Sequence, residues 1–262
     1  MPGQLQFDST ASRELEALYL SPLAVERRKR ALALLGLHAG DAVLDIGSGP
    51  GFLAEEIAAK VGPSGRVVAI DRSPDMLALA ERRCAQHPHV AFQQADAVDI
   101  PFPPATFDAA VAVQVYEYVP YMPAAIRELH RALRPGGRAV IVDIDWASLV
   151  SEAEDRPRAE RVFHAWEEHL ADPYLPRRLA PLLRESGLGV AAVEPYTMLS
   201  LTPEPFVAGL AKLIAGFVPG RRGVTAQDAS AWLADLTATY ASGNYFFSLT
   251  AYMFLAKRPA AS

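Results

Sequence analysis

Val43-Leu44-Asp45-Ile46-Gly47-Ser48-Gly49-Pro50-Gly51-Phe52 is the stretch on which the reading of this chain turns. An apolar run, Ala42–Ile46, ends in a glycine-rich turn, and behind it Phe52, Leu53, Ile57 and Ala58 recur at helical spacing over residues 51–60. That order describes a buried strand, a tight turn and a helix. Glycine suits backbone at positive φ and places where a ligand must approach the main chain closely. The spacing is G-x-G-x-G, not the G-x-G-x-x-G of dinucleotide-binding folds, and Asp45 stands two positions before the first glycine. A carboxylate there is poorly placed to meet a pyrophosphate and well placed to receive a cation. Taken alone, the turn is also what any tight strand-to-helix connection looks like.

Outward from this stretch the alternation repeats. Residues 66–70 read as a strand ending at Asp71, and Ser73-Pro74 opens a helix reaching about residue 86. Strands follow at 90–94 and 107–113, a helix at 122–133, a turn at Arg134-Pro135-Gly136-Gly137 and a fifth strand at 138–142. Upstream, residues 11–35 read as helix: Leu15, Leu18 and Tyr19 recur at helical spacing, and Ser21-Pro22 starts a second helix. Five strands alternating with helices predict a parallel sheet covered on both faces, with right-handed crossovers. Beyond residue 145 the pattern changes. Residues 152–185 are helical and divided by Pro157, Pro173 and Pro176; 190–199 is strand-like; 206–217 and 225–242 are helical; and 245–256 is β-prone and aromatic. The expected organisation is a single domain over 1–262, with N-terminal helices at 1–38 and a ligand-binding core at 40–145. Cap helices and a sixth strand at 146–242 and a final strand at 243–258 complete it.

Composition narrows the class. The 262 residues are 51% hydrophobic and 21% charged, enough apolar content for a real core. The formal net charge of −5 gives no basic field to attract nucleic acid, so no nucleic-acid partner is expected. The one basic run, Glu26-Arg27-Arg28-Lys29-Arg30, reads as a solvated helix face. Cys84 is a single cysteine on a predicted helix and makes no intramolecular disulfide, so a reducing cytoplasm is the default compartment. Residues 1–8 contain no apolar signal core, and no run of 18 apolar residues predicts a membrane span. Monomer and homodimer both fit, because the aromatic final strand can pack internally or form a dimer edge.

Three acids extend the case. Asp71, at a strand end, can accept hydrogen bonds from both hydroxyls of a ribose; a helix N-cap is the alternative. Arg72 and Met76, beside it on the way into the next helix, are candidate cofactor contacts as well, and so are Ala95 and Ala97. In Ala95-Asp96-Ala97, Asp96 can accept the exocyclic amine of an adenine between small neighbours; a turn-stabilising aspartate is the alternative.

Asp45-Ile46-Gly47-Ser48-Gly49-Pro50-Gly51, the acid at Asp71, Ala95-Asp96-Ala97, Phe107-Asp108-Ala109 and Leu133-Arg134-Pro135-Gly136-Gly137 together resemble the class I S-adenosylmethionine-dependent methyltransferases. The chain is most similar to the branch that includes ubiquinone and menaquinone biosynthesis methyltransferases. The resemblance covers roughly residues 40–145. It implies a Rossmann-like α/β fold: a seven-stranded, mostly parallel sheet whose last strand is antiparallel, helices on both faces and a small helical cap. It also implies S-adenosylmethionine as cofactor, held at Asp45, Gly47, Ser48, Gly49, Gly51, Asp71, Asp96 and the segment Gln114-Val115-Tyr116-Glu117-Tyr118-Val119, with Gln114 at the sulfonium. Tyr19 and the N-terminal helices are expected to close over the cofactor, and Arg28 to pair with its carboxylate. Many relatives have Glu-His where this chain has Glu117-Tyr118; the departure removes a candidate base or metal ligand, and no metal is expected. Arsenite methyltransferases share the superfamily but need several thiols, which one cysteine does not supply.

Methyl transfer from a sulfonium is an in-line displacement that needs a nucleophile held about 3 Å from the methyl carbon and water kept out. A base is optional and helps a phenol, amine or activated carbon. Candidates are Glu117, Tyr116, Asp143, Asp145, His164 and His169, with Asp143 and Asp145 ending the fifth strand. Trp146 beside them is a candidate pocket wall. Phe163, Trp166, Phe206, Phe217, Tyr245 and Phe247 can enclose a small hydrophobic or aromatic acceptor, or simply fill the cap's own core. Two rival classes stand beside this reading: a nicotinamide-dependent oxidoreductase, which the glycine spacing disfavours, and an S-adenosylmethionine-binding protein that has lost methyl transfer. Within the enzyme class a macromolecule-directed methyltransferase is a further alternative; the acidic balance disfavours RNA or DNA, and the sizeable cap favours an enclosed small molecule.

Overall fold

Short apolar runs closed by glycines and acids become β1 (Ala42–Ile46), β2 (Arg66–Asp71), β3 (Val90–Gln94) and β4 (Phe107–Val113) in the computed structural model, which describes residues 18–261. β5 (Leu133–Ser151), β6 (Gly189–Ser200) and β7 (Phe247–Lys257) complete a seven-stranded sheet ordered β3-β2-β1-β4-β5-β7-β6. The first five strands pair in parallel, with Asp45 opposite Ala69 of β2 and Val111 of β4. The last strands are antiparallel, as the resemblance implies. Among the described residues the helices are α1 (Pro22–Leu35), α2 (Phe52–Val61), α3 (Pro74–Arg83), α4 (Met122–Ala132), α5 (Arg156–Trp166), α6 (Pro176–Glu185), α7 (Pro205–Phe217) and α8 (Ala226–Ala241).

The described residues group into two units. One comprises Arg28–Ile144, Tyr174–Pro195 and residues 252–261. Its β4 is buried along Phe107, Ala109, Ala110, Val111 and Ala112, the continuous apolar pattern of a parallel strand covered on both faces. α4 buries Met122, Ala125, Ile126, Leu129 and Ala132, one stripe at spacings of three and four. Burying Ile126 and Leu129 contributes about 1.5–3 kcal/mol each. The α4 carbonyls are closed by Arg258, whose Nη1 donates to the carbonyl oxygens of Leu133 (2.6 Å) and His130 (3.1 Å). The other unit comprises residues 18–27, Asp145–Pro173 and Tyr196–Ala251. There α5, α7 and α8 turn Phe163, Leu210, Ile214, Trp232 and Leu236 towards one another.

The structure corrects the sequence reading at four places. The expected turn Arg134–Gly137 is a bulge inside β5: Phe107 pairs with Leu133, the next pair is Ala109 with Arg138, and Gly136 stands at φ +80°. β5 then runs past residue 142 to Ser151, because its neighbour β7 continues where β4 has ended. Asp143 and Asp145 therefore lie within a strand, not at its end. The basic run is a solvated face only in part: Glu26, Lys29 and Arg30 are exposed, but Arg27 and Arg28 are buried, Arg27 6.0 Å from the Phe206 ring and Arg28 paired with Glu56. Finally, α6 belongs with the parallel-sheet unit, not with a cap. The N-terminal part of the predicted 11–35 helix, with Leu15, lies outside the described residues. Proline at the first turns of α5 and α6 begins both helices, as its fixed φ predicts.

Candidate active site

The glycine turn is fastened on three sides. Gly47 and Ser48 donate their amides to the Ile70 carbonyl of β2 at 2.7 and 3.0 Å. Gly47 stands at φ +68°, and a Cβ there would fall 2.4 Å from Val115 Cγ2. Gly51, at φ +85°, would press a Cβ 2.7 Å from Ala80 of α3. Both glycines thus answer a positive φ and a close approach at once. The third fastening is the Gly49 amide, which donates to Asp71 Oδ2 at 2.8 Å.

Asp45 is 1% exposed. Its Oδ2, like the Ser48 hydroxyl, is buried with no hydrogen-bond partner among the described residues. Burial first, and then the charge of Asp71, push the Asp45 carboxyl up to about 8. A buried polar group without a partner costs about 1–3 kcal/mol, which a cationic donor would relieve. Asp71 is half-buried; its Oδ1 takes the Ser73 amide at 2.9 Å, yet each carboxylate oxygen keeps a second lone pair. Met76 is buried in the first turn of α3, its amide on Ser73 Oγ at 3.3 Å. Arg72 is exposed, its Nε 3.4 Å from Asp96 Oδ2. Asp96 Oδ1 accepts the Val98 amide at 3.1 Å, so the turn-stabilising alternative is realised on one oxygen and the ion pair occupies the other. Ala97 is buried and Ala95 half-buried on either side.

After β4 the chain turns sharply. Gln114 takes φ +54° without being glycine, a conformation costing on the order of 1–3 kcal/mol that the surroundings must enforce. Its amide donates to Val142 O at 2.7 Å. Tyr116–Tyr118 form a 3-10 turn, and Tyr116, Glu117 and Asp143 are fully buried. The Glu117 amide donates to Asp143 Oδ1 at 3.4 Å, and the Ile144 amide donates to Glu117 Oε2 at 3.1 Å. Burial and then the charge of Glu117 hold Asp143 well above the carboxylate range, against the pull of the Glu117, Val115 and Tyr116 amides. Burial and then Asp143 raise the Tyr116 phenol.

Arg28, expected to pair with the cofactor's carboxylate, has its Nε on Glu56 Oε1 at 2.9 Å, and its Cζ lies 5.2 Å from the Phe52 ring. Arg83 stacks on the same ring at 3.4 Å and donates Nε to Pro50 O at 2.9 Å, so two guanidiniums brace the start of α2. Sequence reading missed this brace, because nothing in the spacing of Phe52 and Arg83 marks them as neighbours. Asp108, from the Phe107-Asp108-Ala109 motif, is architectural: Oδ2 takes the Ala42 amide at 2.8 Å and Oδ1 the Arg134 guanidinium at 2.5 Å.

The second unit holds the remaining candidates. Asp145 is buried, with Oδ1 accepting the Ala147 amide at 3.3 Å. Trp146 packs edge-on against Trp166 and His169, at ring separations of 5.7 and 5.6 Å. His169 lies against Trp166 at 3.8 Å with its Nδ1 on the Trp166 carbonyl, and burial pushes its imidazole down to about 4. His164 is exposed on α5, away from the buried Ala159, Val162, Ala165 and Trp166. Tyr19 is half-buried. Phe163, Trp232, Tyr245 and Phe247 line an apolar recess, Phe163 meeting Trp232 edge-on at 5.8 Å. Among the described residues no cluster of three or more His, Cys, Asp or Glu is arranged to hold a metal ion, and no helix is long and apolar enough to cross a membrane.

An acid-flanked glycine turn on β1, an acid ending β2 and another after β3 are features of a methyltransferase fold. Residues 43–137 match the model of a methyltransferase domain. A 2-phytyl-1,4-naphtoquinone methyltransferase of Thermosynechococcus vestitus is 33% identical over 192 residues, covering 72% of this chain and 78% of that protein. A demethylmenaquinone methyltransferase of Symbiobacterium thermophilum is 33% identical over 186 residues, covering 68% of this chain and 69% of that one. The crystal structure of the YcgJ protein from Bacillus subtilis superposes with a TM-score of 0.65 at 19% identity, covering 90% of this chain and all of that one. The chain belongs to the S-adenosylmethionine-dependent methyltransferases of class I fold. The oxidoreductase alternative falls with that assignment.

Proposed function

We propose that the chain methylates a small hydrophobic or aromatic molecule by direct in-line transfer from S-adenosylmethionine. The observation that carries the cofactor site is the fully buried Asp45 carboxyl with an unpartnered oxygen at the glycine turn. Its chemistry suits the cofactor's ammonium group, and the neighbouring Ser48 hydroxyl offers a second acceptor. Asp71 accepts ribose hydroxyls on its remaining lone pairs while fixing the Gly49 amide, and Asp96, between Ala95 and Ala97, reads the adenine amine on a lone pair that the Val98 amide and Arg72 leave open. Arg72 and Met76 flank the nucleoside, and Gln114 faces the sulfonium from its enforced turn. When bound, S-adenosylmethionine supplies an electrophilic methyl group on a positively charged sulfur. The chain's contribution is orientation and exclusion of water, which supply much of the rate without a dedicated base.

The preference for an apolar acceptor rests on relatives named for quinone substrates. The test is calorimetric titration with S-adenosylmethionine and with NADH, followed by assay of S-adenosylhomocysteine release in the presence of 1,4-naphthohydroquinone and catechol. Micromolar S-adenosylmethionine binding and product release with an aromatic acceptor are expected. Failure to bind S-adenosylmethionine sinks the cofactor site; binding without turnover on any apolar acceptor, but with turnover on a polar one, sinks the acceptor class.

A further inference from the structure

Three consecutive residues of β5 hold the segment that follows β4. Val142 O accepts the Gln114 amide at 2.7 Å, Asp143 Oδ1 accepts the Glu117 amide at 3.4 Å, and the Ile144 amide donates to Glu117 Oε2 at 3.1 Å. The last two bonds are reciprocal: each acid is bonded to the other's strand or turn. Both acids are 0% exposed, and so is Tyr116 between them and Gln114. Glu117 is fully buried and commits Oε2 to a main-chain amide, the arrangement of a side chain that holds backbone in place.

We propose that Glu117 and Asp143 are positioning residues, a reciprocal clamp that fixes the Gln114–Glu117 turn at the cofactor, and not the bases of the reaction. The inference rests on the function proposed above. It explains how Gln114 is kept at φ +54°. It also ties the turn to the glycine loop, since Val115 occupies the space that Gly47 leaves open. Slippage of the turn would push Val115 into that loop. The neutral form of Asp143, favoured by burial and by Glu117, lets two buried acids share the site without mutual repulsion, and among the described residues the same turn also carries the titratable Tyr116, whose phenol Asp143 raises, and Tyr118.

Amide and apolar replacements test the clamp, and turnover tests the base. Glu117→Gln and Asp143→Asn should keep the parent's rate and pH profile with an acceptor that the parent methylates, and a rate lost at unchanged Kd overturns the claim that the two acids are not bases. In the full chain, Glu117→Gln and Asp143→Asn each keep an acceptor oxygen, and Asp143→Asn also keeps the neutral form. Their S-adenosylmethionine Kd should stay within about twofold of the parent by calorimetry. Glu117→Leu and Asp143→Leu keep bulk but accept nothing, and should bind about tenfold or more weakly. Hydrogen exchange supplies a reading independent of the cofactor: the Ile144 amide should lose protection in Glu117→Leu and keep it in Glu117→Gln. Leucine variants that bind like the parent overturn the clamp, as does unchanged Ile144 exchange. If the leucine variants do not fold, a tenfold loss in the Gln or Asn variant overturns it instead. A parent protein that binds no S-adenosylmethionine would count against the proposed function, and Ile144 exchange would still decide the clamp.

Discussion

Titrating Asp45 through pH is the sharpest probe of the cofactor site. With the carboxyl raised to about 8 it carries its proton at pH 7, whereas a bound ammonium needs the carboxylate. At pH 7 about nine-tenths of the sites are protonated, so binding must expel the proton at a cost of about 1.4 kcal/mol, a tenfold loss of affinity. The ligand's own α-amino group titrates near 8 as well, and must be charged to bind. The two requirements multiply: affinity should climb about eightfold from pH 6 to 7 and about threefold from 7 to 8, then fall above 8. Net proton release at pH 7 should be about 0.8 per cofactor, the Asp45 proton less the small fraction taken up by the amine. Calorimetry at pH 7 in phosphate and in Tris measures it, because the apparent enthalpy shifts with the buffer's ionisation heat in proportion to protons released. Asp45→Asn should abolish the rising limb and the release. A buffer-independent enthalpy with a Kd flat between pH 6 and 7 would refute the pairing of Asp45 with the ammonium.

Asp71→Ala should weaken cofactor binding by about an order of magnitude or more, because the ribose hydroxyls lose a charged acceptor and the Gly49 amide its anchor; unchanged affinity in a folded variant counts against it. Gly47→Ala should cost roughly 2–5 kcal/mol in urea unfolding, since alanine resents φ +68° and its Cβ meets Val115. Adding Val115→Ala should recover the packing part only, and a Gly47→Ala cost under about 1 kcal/mol would sink the argument. His169 is neutral when folded because its imidazole lies at about 4, below the ordinary value near 6.5. Its contribution is therefore complete above about 6.5 and is lost as pH falls towards 4, by up to about 3 kcal/mol. His169→Gln should flatten stability over that interval, and an unchanged slope in chemical denaturation would show that the histidine is not responsible.

What the sequence made legible follows from what is local. Strand, turn and helix around Asp45-Ile46-Gly47 are written in nearest neighbours, and so is the cap at Ser73. The order of alternating elements then restricts the parallel part of the sheet, whereas the antiparallel final strand was implied by the family resemblance alone. Long-range partners were not. Arg28 looks like any arginine in a basic run until Glu56 and Phe52 are brought beside it by the packing of α1 on α2. Arg134-Pro135-Gly136-Gly137 has the composition of a turn, and only pairing with β4 reveals a bulge in a longer strand. Glu117 was readable as a polar residue past a strand, but its bond to Ile144 depends on the register of β5 against β4.

The position of β7 bears on how the chain reaches this state. In the sheet it lies between β5 and β6, yet it comes after both in the chain. Arg258, one residue beyond it, closes the carbonyls at the end of α4 and donates its own amide to Gly137 O at 2.8 Å. During synthesis β5 and β6 are both finished before the strand that joins them exists. Each must wait with an open edge, the state most exposed to wrong pairing and to chaperone capture. Closure is therefore a late, long-range event, and its rate depends on the search by one terminal strand, not on the early glycine turn where the chemistry is built.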